Sequence, residues 1–454
     1  MKKGRFSLFL VSNRKKHFIS QLAIKFLLLK EINVKVSIVG AYNTKFGAFV
    51  KRDREAGTIE DVKSFYELLI EAGSKAIADA GLEASDIDAI WVGSCSPSLF
   101  VNQEHVGPLA LEIDPHGLLF KPTTRTEGAC ATSSLAIYNA AYGVASGRFK
   151  HVLALGVEKM SLLDTPGVTH ALACCSYWPQ EGSHGMTFPG LFAELGLAYQ
   201  KKHQLTDDQL KTMLAHVSAL NYRNGIKNPL AHFGAGSLPD KNNLTTAEAI
   251  LNLPETGKGS NPMIAPPLRL HDCSLITDGA AAVVLTSTSN AIKNFKYAVE
   301  LSGIGHTTDR MMLNGRQGGL DELRATRHAV SLACKEAGIK VSDLDFAEVH
   351  DCFTVNELLC AEAIGLSESG RAGFDLMDGK FDPGSDCPIN LSGGLKAKGH
   401  PVGATGASMH ALAYKQLTGK PIGVPAKDNA ETAMTVNIGG SGVTNCVSVL
   451  KRIQ

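Results

Sequence analysis

Apolar and polar positions follow two alternating periods from about residue 34 onward. Residues 36–40 (Val-Ser-Ile-Val-Gly) are a short run with β-branched side chains, which is typical of a strand that ends in a turn. Residues 61–80 are Ala-rich and amphipathic at helical spacing, and Gly81 is placed to stop the helix. Residues 89–92 then have the pattern of a second strand. Strands that alternate with helices predict an α/β fold.

The same pattern of helix, turn and strand recurs in the second part of the chain. Residues 80–82 (Ala-Gly-Leu) are echoed by residues 337–339 (Ala-Gly-Ile), 257 positions further on. Residues 85–88 (Ser-Asp-Ile-Asp) are echoed at the same distance by residues 342–345 (Ser-Asp-Leu-Asp). Two copies are too few for a solenoid, so the repeat predicts two similar α/β halves.

Each half is predicted to close on a buried strand, at residues 277–285 and 442–450. We therefore assign residues 35–298 to the first half and residues 299–454 to the second. The first half contains a predicted loop domain at about 160–270, which is rich in His, Gly, Pro and Asn. Insertions over a rigid scaffold commonly carry ligand contacts.

The first residues of the chain differ in composition from the rest. Residues 1–30 contain eight Lys or Arg and no acidic residue. We set residues 1–34 apart as a targeting segment and expect the protein in the mitochondrial matrix. The alternative for the segment is an untargeted extension, and the alternative for the location is the peroxisome or the cytosol. The apolar run at residues 27–29 is too short to cross a bilayer, and no longer apolar window occurs, so no membrane span is expected.

Charge and cysteine content narrow the possible functions. The 45 basic and 44 acidic residues give a net charge of +1, which provides no general attraction to nucleic acid. The ten cysteines form no CxxC pair and no Cys/His cluster at zinc spacing. This pattern predicts a reducing compartment with mostly buried thiols and no metal site.

A first candidate for chemistry is Cys130, which lies among small residues just before an Ala-rich helix. A thiol at a helix start gains from the partial positive charge and the free N–H groups there. Small neighbours let a substrate carbonyl approach the sulfur, and the backbone N–H of Cys130 could stabilise an oxyanion. The alternative is a buried thiol that only fills space in the core, as most free cysteines do.

Two further segments carry candidate catalytic groups. His350 and Cys352 stand two residues apart after a predicted strand, so both could face one cavity at the carboxyl end of a sheet. His400 lies in a glycine-rich stretch at residues 390–406 and could accept the Cys130 proton. The alternatives are core packing for His350 and Cys352, and a phosphate loop for the Gly-rich stretch. The Gly-rich stretch of this chain lacks the Gly-Lys-Ser/Thr ending of a phosphate loop.

Together these segments resemble the thiolase superfamily over residues 35–451. Cys130 matches the family's nucleophile segment, residues 399–406 match its Gly-His-Pro motif, and residues 277–281 match a signature that closes its first half. The His-Asp-Cys-Phe at 350–353 is similar to the sterol-carrier-protein type of thiolase, where ordinary thiolases carry Asn-Glu-Ala-Phe. The resemblance implies duplicated five-stranded mixed sheets in αβαβα layers, without a fused sterol-carrier domain.

The resemblance also implies catalytic roles for residues of this chain. Cys130 would be acylated by a 3-oxoacyl-CoA. His400 would activate Cys130 and help polarise the thioester oxygen, and His350 would be the other donor of this first oxyanion hole. Cys352 would act as acid and base toward the enolate and the CoA thiol. Gly439 would donate the second N–H, beside that of Cys130, to the second oxyanion hole. Ordinary thiolases place their acid/base cysteine in a Cys-x-Gly motif, but the corresponding position here is Asn437.

Ligand contacts and assembly are implied in the same way. Met186 and Ser274 match positions beside the acyl end and the pantetheine arm, and Arg223 is a candidate for the CoA phosphates. The partners would be 3-oxoacyl-CoA and coenzyme A, with no tightly bound cofactor. The family implies a homodimer, with a tetramer as the alternative, and a place in fatty acid β-oxidation.

The sequence therefore favours an acetyl-CoA acyltransferase that cleaves 3-oxoacyl-CoA with CoA in a reversible reaction. Three alternatives stay open. One is another condensing enzyme of the same fold, and a second is a non-catalytic protein that binds acyl-CoA or lipid. The third is a cysteine hydrolase, a class of enzyme that would not account for the internal duplication.

Overall fold

The computed structural model describes residues 35–53 and 55–454, so the predicted targeting segment lies outside the described residues. Thirteen strands are described there: β1 Val36–Asn43, β2 Val50–Asp53, β3 Thr58–Asp61, β4 Ala89–Gly93, β5 Thr123–Thr126, β6 His151–Glu158, β7 Met263–Ala265, β8 Leu268–Arg269, β9 Gly279–Ser287, β10 Val299–Thr308, β11 Phe346–Val349, β12 Thr432–Gly439 and β13 Thr444–Arg452. The α-helices are α1 Phe65–Asp79, α2 Pro97–Val101, α3 Thr132–Ala145, α4 Thr165–Ala173, α5 Phe188–Lys202, α6 Asp207–Ile226, α7 Leu238–Lys241, α8 Ala247–Leu251, α9 Thr288–Asn294, α10 Arg324–Ala337, α11 Thr354–Ile364, α12 Ala372–Met377 and α13 Thr405–Leu417.

Nine strands form one mixed sheet in the order β11-β12-β13-β10-β1-β9-β6-β4-β5. The five strands at one end of this order come from the first half of the chain and the other four from the second half. The halves join where β1 pairs with β10, and this join has only two register pairs, Ser37 with Glu300 and Ile38 with Val299. A mixed α/β fold built from two similar halves is confirmed.

The second half departs from five full strands. At the place that β5 occupies in the first half, Ile389 forms a single parallel bridge to Ala347 of β11. The next residue, Asn390, has a φ of 54°, in the left-handed region. A residue in that region cannot continue an extended strand. The fifth strand of the second half is therefore reduced to one bridge.

The repeat predicted from the sequence is visible in the structure. In the first half, α1 is followed by Gly81 at a φ of 69°, a 3-10 turn at Ala84–Asp86 and the strand β4. In the second half, α10 is followed by Gly338 at a φ of 65°, a 3-10 turn at Val341–Asp343 and the strand β11. The 3-10 turns and the strands begin 257 residues apart, as the sequence echoes do.

The helices α3 and α13 form the centre of the molecule. They pack against each other, and each contacts strands of the large sheet. One buried apolar cluster contains Ile137 and Tyr138 of α3, Ala411 of α13, and strand residues from both halves, such as Val283 and Leu450. On the outer sides, α1 covers strands of the first half and α10 covers strands of the second. Cys130 and His400 both precede a central helix.

The stretch predicted as a loop domain is largely helical. Between β6 and β9 the chain forms the helices α4 to α8 and the short β7–β8 hairpin. The longest of these helices, α6, packs against α11, α12 and a π-helical turn at Gly394–Lys398. Within the described ranges, no helix is long and apolar enough to cross a bilayer.

Candidate active site

Cys130 lies at the junction between an edge strand and a central helix. The strand β5 ends at Thr126, a 3-10 turn spans Ala129–Ala131, and α3 begins at Thr132. The side chain of Cys130 is buried, with 8% of the residue exposed. The sequence thus places a buried thiol beside the first turn of a helix, where backbone N–H groups are free to meet a negative charge.

The Cys130 thiol is protonated at rest. Burial raises the pKa of Cys130 above its usual range, and nearby Cys175 acts in the same direction. The backbone N–H of Gly440 donates to the sulfur and favours the thiolate, but it does not outweigh burial. A nucleophile in this state needs a neighbouring base to remove its proton.

His400 is oriented to serve as such a base. Its Nδ1 lies 2.7 Å from Oγ1 of Thr405, and that hydroxyl donates its own proton to the carbonyl oxygen of Pro401, 3.0 Å away. Since the hydroxyl has one proton, Nδ1 of His400 must be the donor in their shared bond. The Nε2 atom therefore carries the free lone pair. Burial, and then Lys398, lower the pKa of His400 to about 3, so the ring is neutral.

Backbone geometry fixes the position of His400 as well. The preceding Gly399 has a φ of 116°, where a residue with a side chain is strained. A Cβ at Gly399 would also lie 2.7 Å from Cγ2 of Thr277. The Gly-His-Pro sequence thus lets the chain leave the π-helical turn and deliver the ring beside Cys130.

His350 has the opposite proton arrangement. It follows the end of β11 and is fully buried. The backbone N–H of Ile438 and the side-chain amide of Asn437 both donate to its Nδ1, over 3.3 and 3.1 Å. The proton of the neutral ring must then lie on Nε2. That atom is buried and has no hydrogen-bond partner in the described part of the chain, so it is an N–H donor available to a ligand.

Cys130, His350 and His400 meet in one small volume. One ring nitrogen of each histidine and the Cys130 sulfur all lie within 4.8 Å of one another. The two rings are perpendicular, with centroids 5.1 Å apart. The result is a thiol between a proton acceptor and a proton donor. Cysteine and histidine are also ligands that Zn²⁺ prefers, so the absence of a metal stays a prediction.

An apolar cavity of about 220 Å³ opens onto this cluster. Cys130, Cys352, His400 and Ser274 line it, together with apolar side chains of α4 and α5 such as Phe192. Cys352 is buried, and burial followed by the neighbouring Cys130 raises the pKa of its thiol. The backbone N–H of Ser274 donates to the carbonyl oxygen of Cys352 over 2.8 Å. Four predicted site residues therefore share one cavity wall.

Three other predicted residues lie elsewhere. Arg223 pairs with Asp382 over 2.6 Å at the surface and does not line the cavity, so its contact with the CoA phosphates stays a prediction. Met186 packs against a core cluster instead of the cavity. Gly439 ends β12, and the next residue, Gly440, is the one that lines the cavity and donates to the Cys130 sulfur.

Sequence reasoning missed several residues of the site. Thr405 sets the proton position of His400, and its only sequence signal is its place in the Gly-rich motif. Glu158 lies buried beneath the motif, where its carboxylate accepts from the backbone N–H of Cys95 over 2.7 Å. A Cβ on Gly403 would lie 2.5 Å from Oε2 of Glu158. Nothing in the local pattern around Glu158 separates it from an ordinary residue at a strand end.

The Glu158 carboxyl predicts a specific pH dependence of stability. Burial raises its pKa from an ordinary 4.5 to about 7, so the folded protein holds a proton that the unfolded chain has released. The contribution of this proton is complete below about pH 4.5 and is lost as the pH rises through 7, by at most about 3 kcal/mol. Glu158→Gln cannot titrate. Urea unfolding at a series of pH values should show the wild type losing stability relative to the variant between about pH 5 and pH 8. Curves that stay parallel would contradict this assignment.

The comparisons with known proteins identify the family of the chain. The family "Thiolase, N-terminal domain" matches residues 36–289, and the family "Thiolase C-terminal domain-like" matches residues 305–452. The acetyl-CoA acetyltransferase of Methanothermobacter thermautotrophicus is 38% identical over 417 residues, which cover 92% of this chain and 99% of that protein. Human sterol carrier protein 2 is 28% identical, over 90% of this chain and 70% of its own length.

Solved structures share the fold at lower identity. A chain of the Ltp2-ChsH2(DUF35) aldolase superposes with a TM-score of 0.73 at 20% identity, covering 92% of this chain and 98% of that one. At this identity the likeness establishes the fold and not the reaction. The two family matches and the identity to the acetyltransferase carry the assignment: the chain belongs to the thiolase family and is an acyltransferase.

Proposed function

We propose that this thiolase cleaves 3-oxoacyl-CoA with CoA, giving acetyl-CoA and an acyl-CoA shortened by two carbons, and that it also runs in the direction of condensation. A 2-methyl substrate would give propionyl-CoA. The observation that carries the proposal is that the two histidines beside the Cys130 sulfur have hydrogen-bond partners that call for opposite tautomers. His400 has a free Nε2 to accept the thiol proton, and His350 has an unpaired Nε2–H to donate to an oxyanion.

In the first half-reaction, His400 accepts the Cys130 proton and the sulfur attacks the C3 carbonyl. The oxygen becomes an anion that His350 stabilises by donating its Nε2–H. The C2–C3 bond then breaks, which leaves the acyl group on Cys130 and releases the enolate of acetyl-CoA. Cys352 gives its proton to that enolate and becomes a thiolate.

The second half-reaction restores every group. The Cys352 thiolate takes the proton of the incoming CoA thiol, and the CoA sulfur attacks the acyl group on Cys130. The tetrahedral oxyanion accepts from the Cys130 N–H and a second backbone N–H, predicted at Gly439, although Gly440 lies nearer the sulfur. Cys130 leaves with the proton that His400 held. Coenzyme A is a co-substrate, and no step calls for a tightly bound cofactor.

The cavity favours an apolar acyl group. Val168, Leu172, Phe188 and Phe192 line it beside Cys130. Burying such an acyl chain against these side chains is favourable by roughly 0.8 kcal/mol per methylene. The acetyltransferase relative, by its name, uses the shortest acyl group, so a series of chain lengths is the informative set of substrates.

The oligomer and the location remain proposals. Strand β5 lies at the edge of the sheet directly before Cys130, and Thr124 on it is exposed. An open edge is a ready site for pairing with a second copy, which supports the homodimer predicted from the family, with a tetramer as the alternative. The mitochondrial matrix stays a prediction from residues 1–34. The Methanothermobacter relative does not support a mitochondrial role or a role in β-oxidation.

The proposal is tested by thiolysis with the purified full chain. Acetoacetyl-CoA and longer or 2-methyl-branched 3-oxoacyl-CoA are mixed with CoA, and loss of the enolate absorbance is followed while products are identified by mass. We expect acetyl-CoA, or propionyl-CoA from the branched substrate, together with the shortened acyl-CoA. Binding of these substrates without any turnover would favour the non-catalytic acyl-CoA-binding alternative.

A further inference from the structure

Asn437 is a buried amide that contacts both catalytic segments at once. Its Nδ2 donates to the carbonyl oxygen of Cys130 over 3.1 Å and to Nδ1 of His350, also over 3.1 Å. Its Oδ1 accepts from the hydroxyl of Ser134 over 2.8 Å. The three bonds join β12 of the second half to the nucleophile segment of the first half and to the end of β11.

The partners fix which way the amide points. The Cys130 carbonyl oxygen can only accept, so the NH₂ group of Asn437 must face it, and the oxygen is left for the Ser134 hydroxyl. Each of the two amide protons then has one acceptor, Cys130 O and His350 Nδ1. All the polar atoms of this side chain are satisfied, and the amide has no alternative orientation that keeps these bonds.

The space around Asn437 is also closed. The residue is fully buried, and a Cβ on Gly406 of the Gly-His-Pro motif would lie 2.6 Å from its Oδ1. A buried side chain held by three hydrogen bonds and packed closely against a neighbouring segment cannot change rotamer without breaking bonds. One rigid amide therefore links the Cys130 backbone directly to the His350 ring, which also accepts from the backbone N–H of Ile438.

We infer that Asn437 is a positioning residue for the transferase reaction, and that it braces His350 against Cys130 so that Nε2–H of His350 points at the substrate oxygen. The inference rests on the proposed function, in which that N–H stabilises the first oxyanion. Asn437 touches no reacting atom. It acts through His350, and a donor misplaced by about 1 Å can cost on the order of 10²-fold in rate.

The test replaces Asn437 with leucine, which has the same branched skeleton of side-chain heavy atoms and makes no hydrogen bonds. We expect kcat for thiolysis to fall by roughly 10- to 100-fold with little change in KM, because the bond serves the transition state more than binding. Alkylation of Cys130 by iodoacetamide should stay near the wild-type rate, because the base for that thiol is His400. If Asn437→Leu does not fold, Asn437→Ala takes its place.

A matched control is available one strand away. Asn445 on β13 is equally buried, accepts from Thr326 and donates to Gly442 and Val443, and it does not line the cavity. Asn445→Leu should lower the unfolding midpoint as Asn437→Leu does, but it should leave kcat within about threefold of wild type. Equal losses of kcat in the two variants would overturn the inference in favour of a purely structural role.

A double-mutant cycle shows whether the effect runs through His350. In a His350→Ala background no ring needs bracing, so adding Asn437→Leu should cost no more than about threefold. Coupling of this kind is the signature of two groups that act together. Independent, multiplying losses would contradict the brace. Turnover by the wild type tests the proposed function separately. An inactive wild type would contradict the proposed function before any Asn437 variant is compared.

Discussion

Replacing Cys130 with alanine should remove acyl transfer, with a loss of at least ~10³-fold in thiolysis, because Cys130 is the thiol that lies within 4.8 Å of both His350 and His400. The Cys130→Ala protein should still fold, since only a buried sulfur next to an open cavity is lost. Thiolysis of acetoacetyl-CoA measures the loss. Mass analysis after incubation with acetyl-CoA should find an acetyl group on wild-type Cys130 and none on the variant.

Cys446→Ala is the matched control for this experiment. Cys446 is also buried, but it lies in β13 within the central core cluster and does not line the cavity. Its replacement should cost some stability while leaving kcat unchanged. A Cys130→Ala protein that keeps more than about a tenth of wild-type activity would contradict the acyl-enzyme mechanism and favour an enzyme that uses no thiol nucleophile.

Replacing Cys352 with alanine should separate the two half-reactions. Removing a general acid and base typically costs 10²- to 10⁴-fold, and we expect a loss of that size in thiolysis. Acetylation of Cys130 by acetyl-CoA should persist, because a CoA thiolate is a far better unprotonated leaving group than a carbon enolate. The measurement pairs steady-state thiolysis with the mass of the protein after mixing with acetyl-CoA.

Two results would count against this role for Cys352. If thiolysis by Cys352→Ala is unchanged, another group supplies the proton and the assignment is wrong, although a thiolase mechanism survives. If the variant loses acetylation of Cys130 as well, Cys352 is needed to shape the cavity or to activate the nucleophile. Cys360→Ala, at a buried thiol on α11 outside the cavity lining, controls for the loss of a neighbouring sulfur.

The sequence predicted the fold well where local patterns determine it. The repeat around Gly81 and Gly338 is recognisable in the sequence because a few adjacent residues determine where a helix ends and where the next strand begins. The reduction of one strand to a bridge at Ile389 was not predictable in this way. It depends on a left-handed turn at Asn390, a conformation that asparagine adopts without being required to.

The site was predictable only in part. Cys130, His350 and His400 were found through motif resemblance, since their residue types alone also suit ordinary core positions. The pairing of Arg223 with Asp382 could not be predicted, because the two residues are 159 positions apart in the sequence and no helical pattern reveals the pair. The contact of Arg223 with the CoA phosphates stays a prediction. Asn437 was noticed only as a departure from the family. Its role appears when three segments of the chain are brought together in space.

The internal repeat also relates the two halves of the site to each other. Counting 257 residues back from Cys352 reaches Cys95, and counting back from His350 reaches Gly93. A thiol stands at both places of the first pair, and Cys95 lines the same cavity as Cys352. In the second pair, a Cβ on Gly93 would lie 2.9 Å from Cα of Ser133 on the helix that follows the nucleophile, so the first half has no room for a histidine there. The half that presents the nucleophile therefore cannot also present a histidine equivalent to His350, and the two copies of the repeat differ in the site for a steric reason.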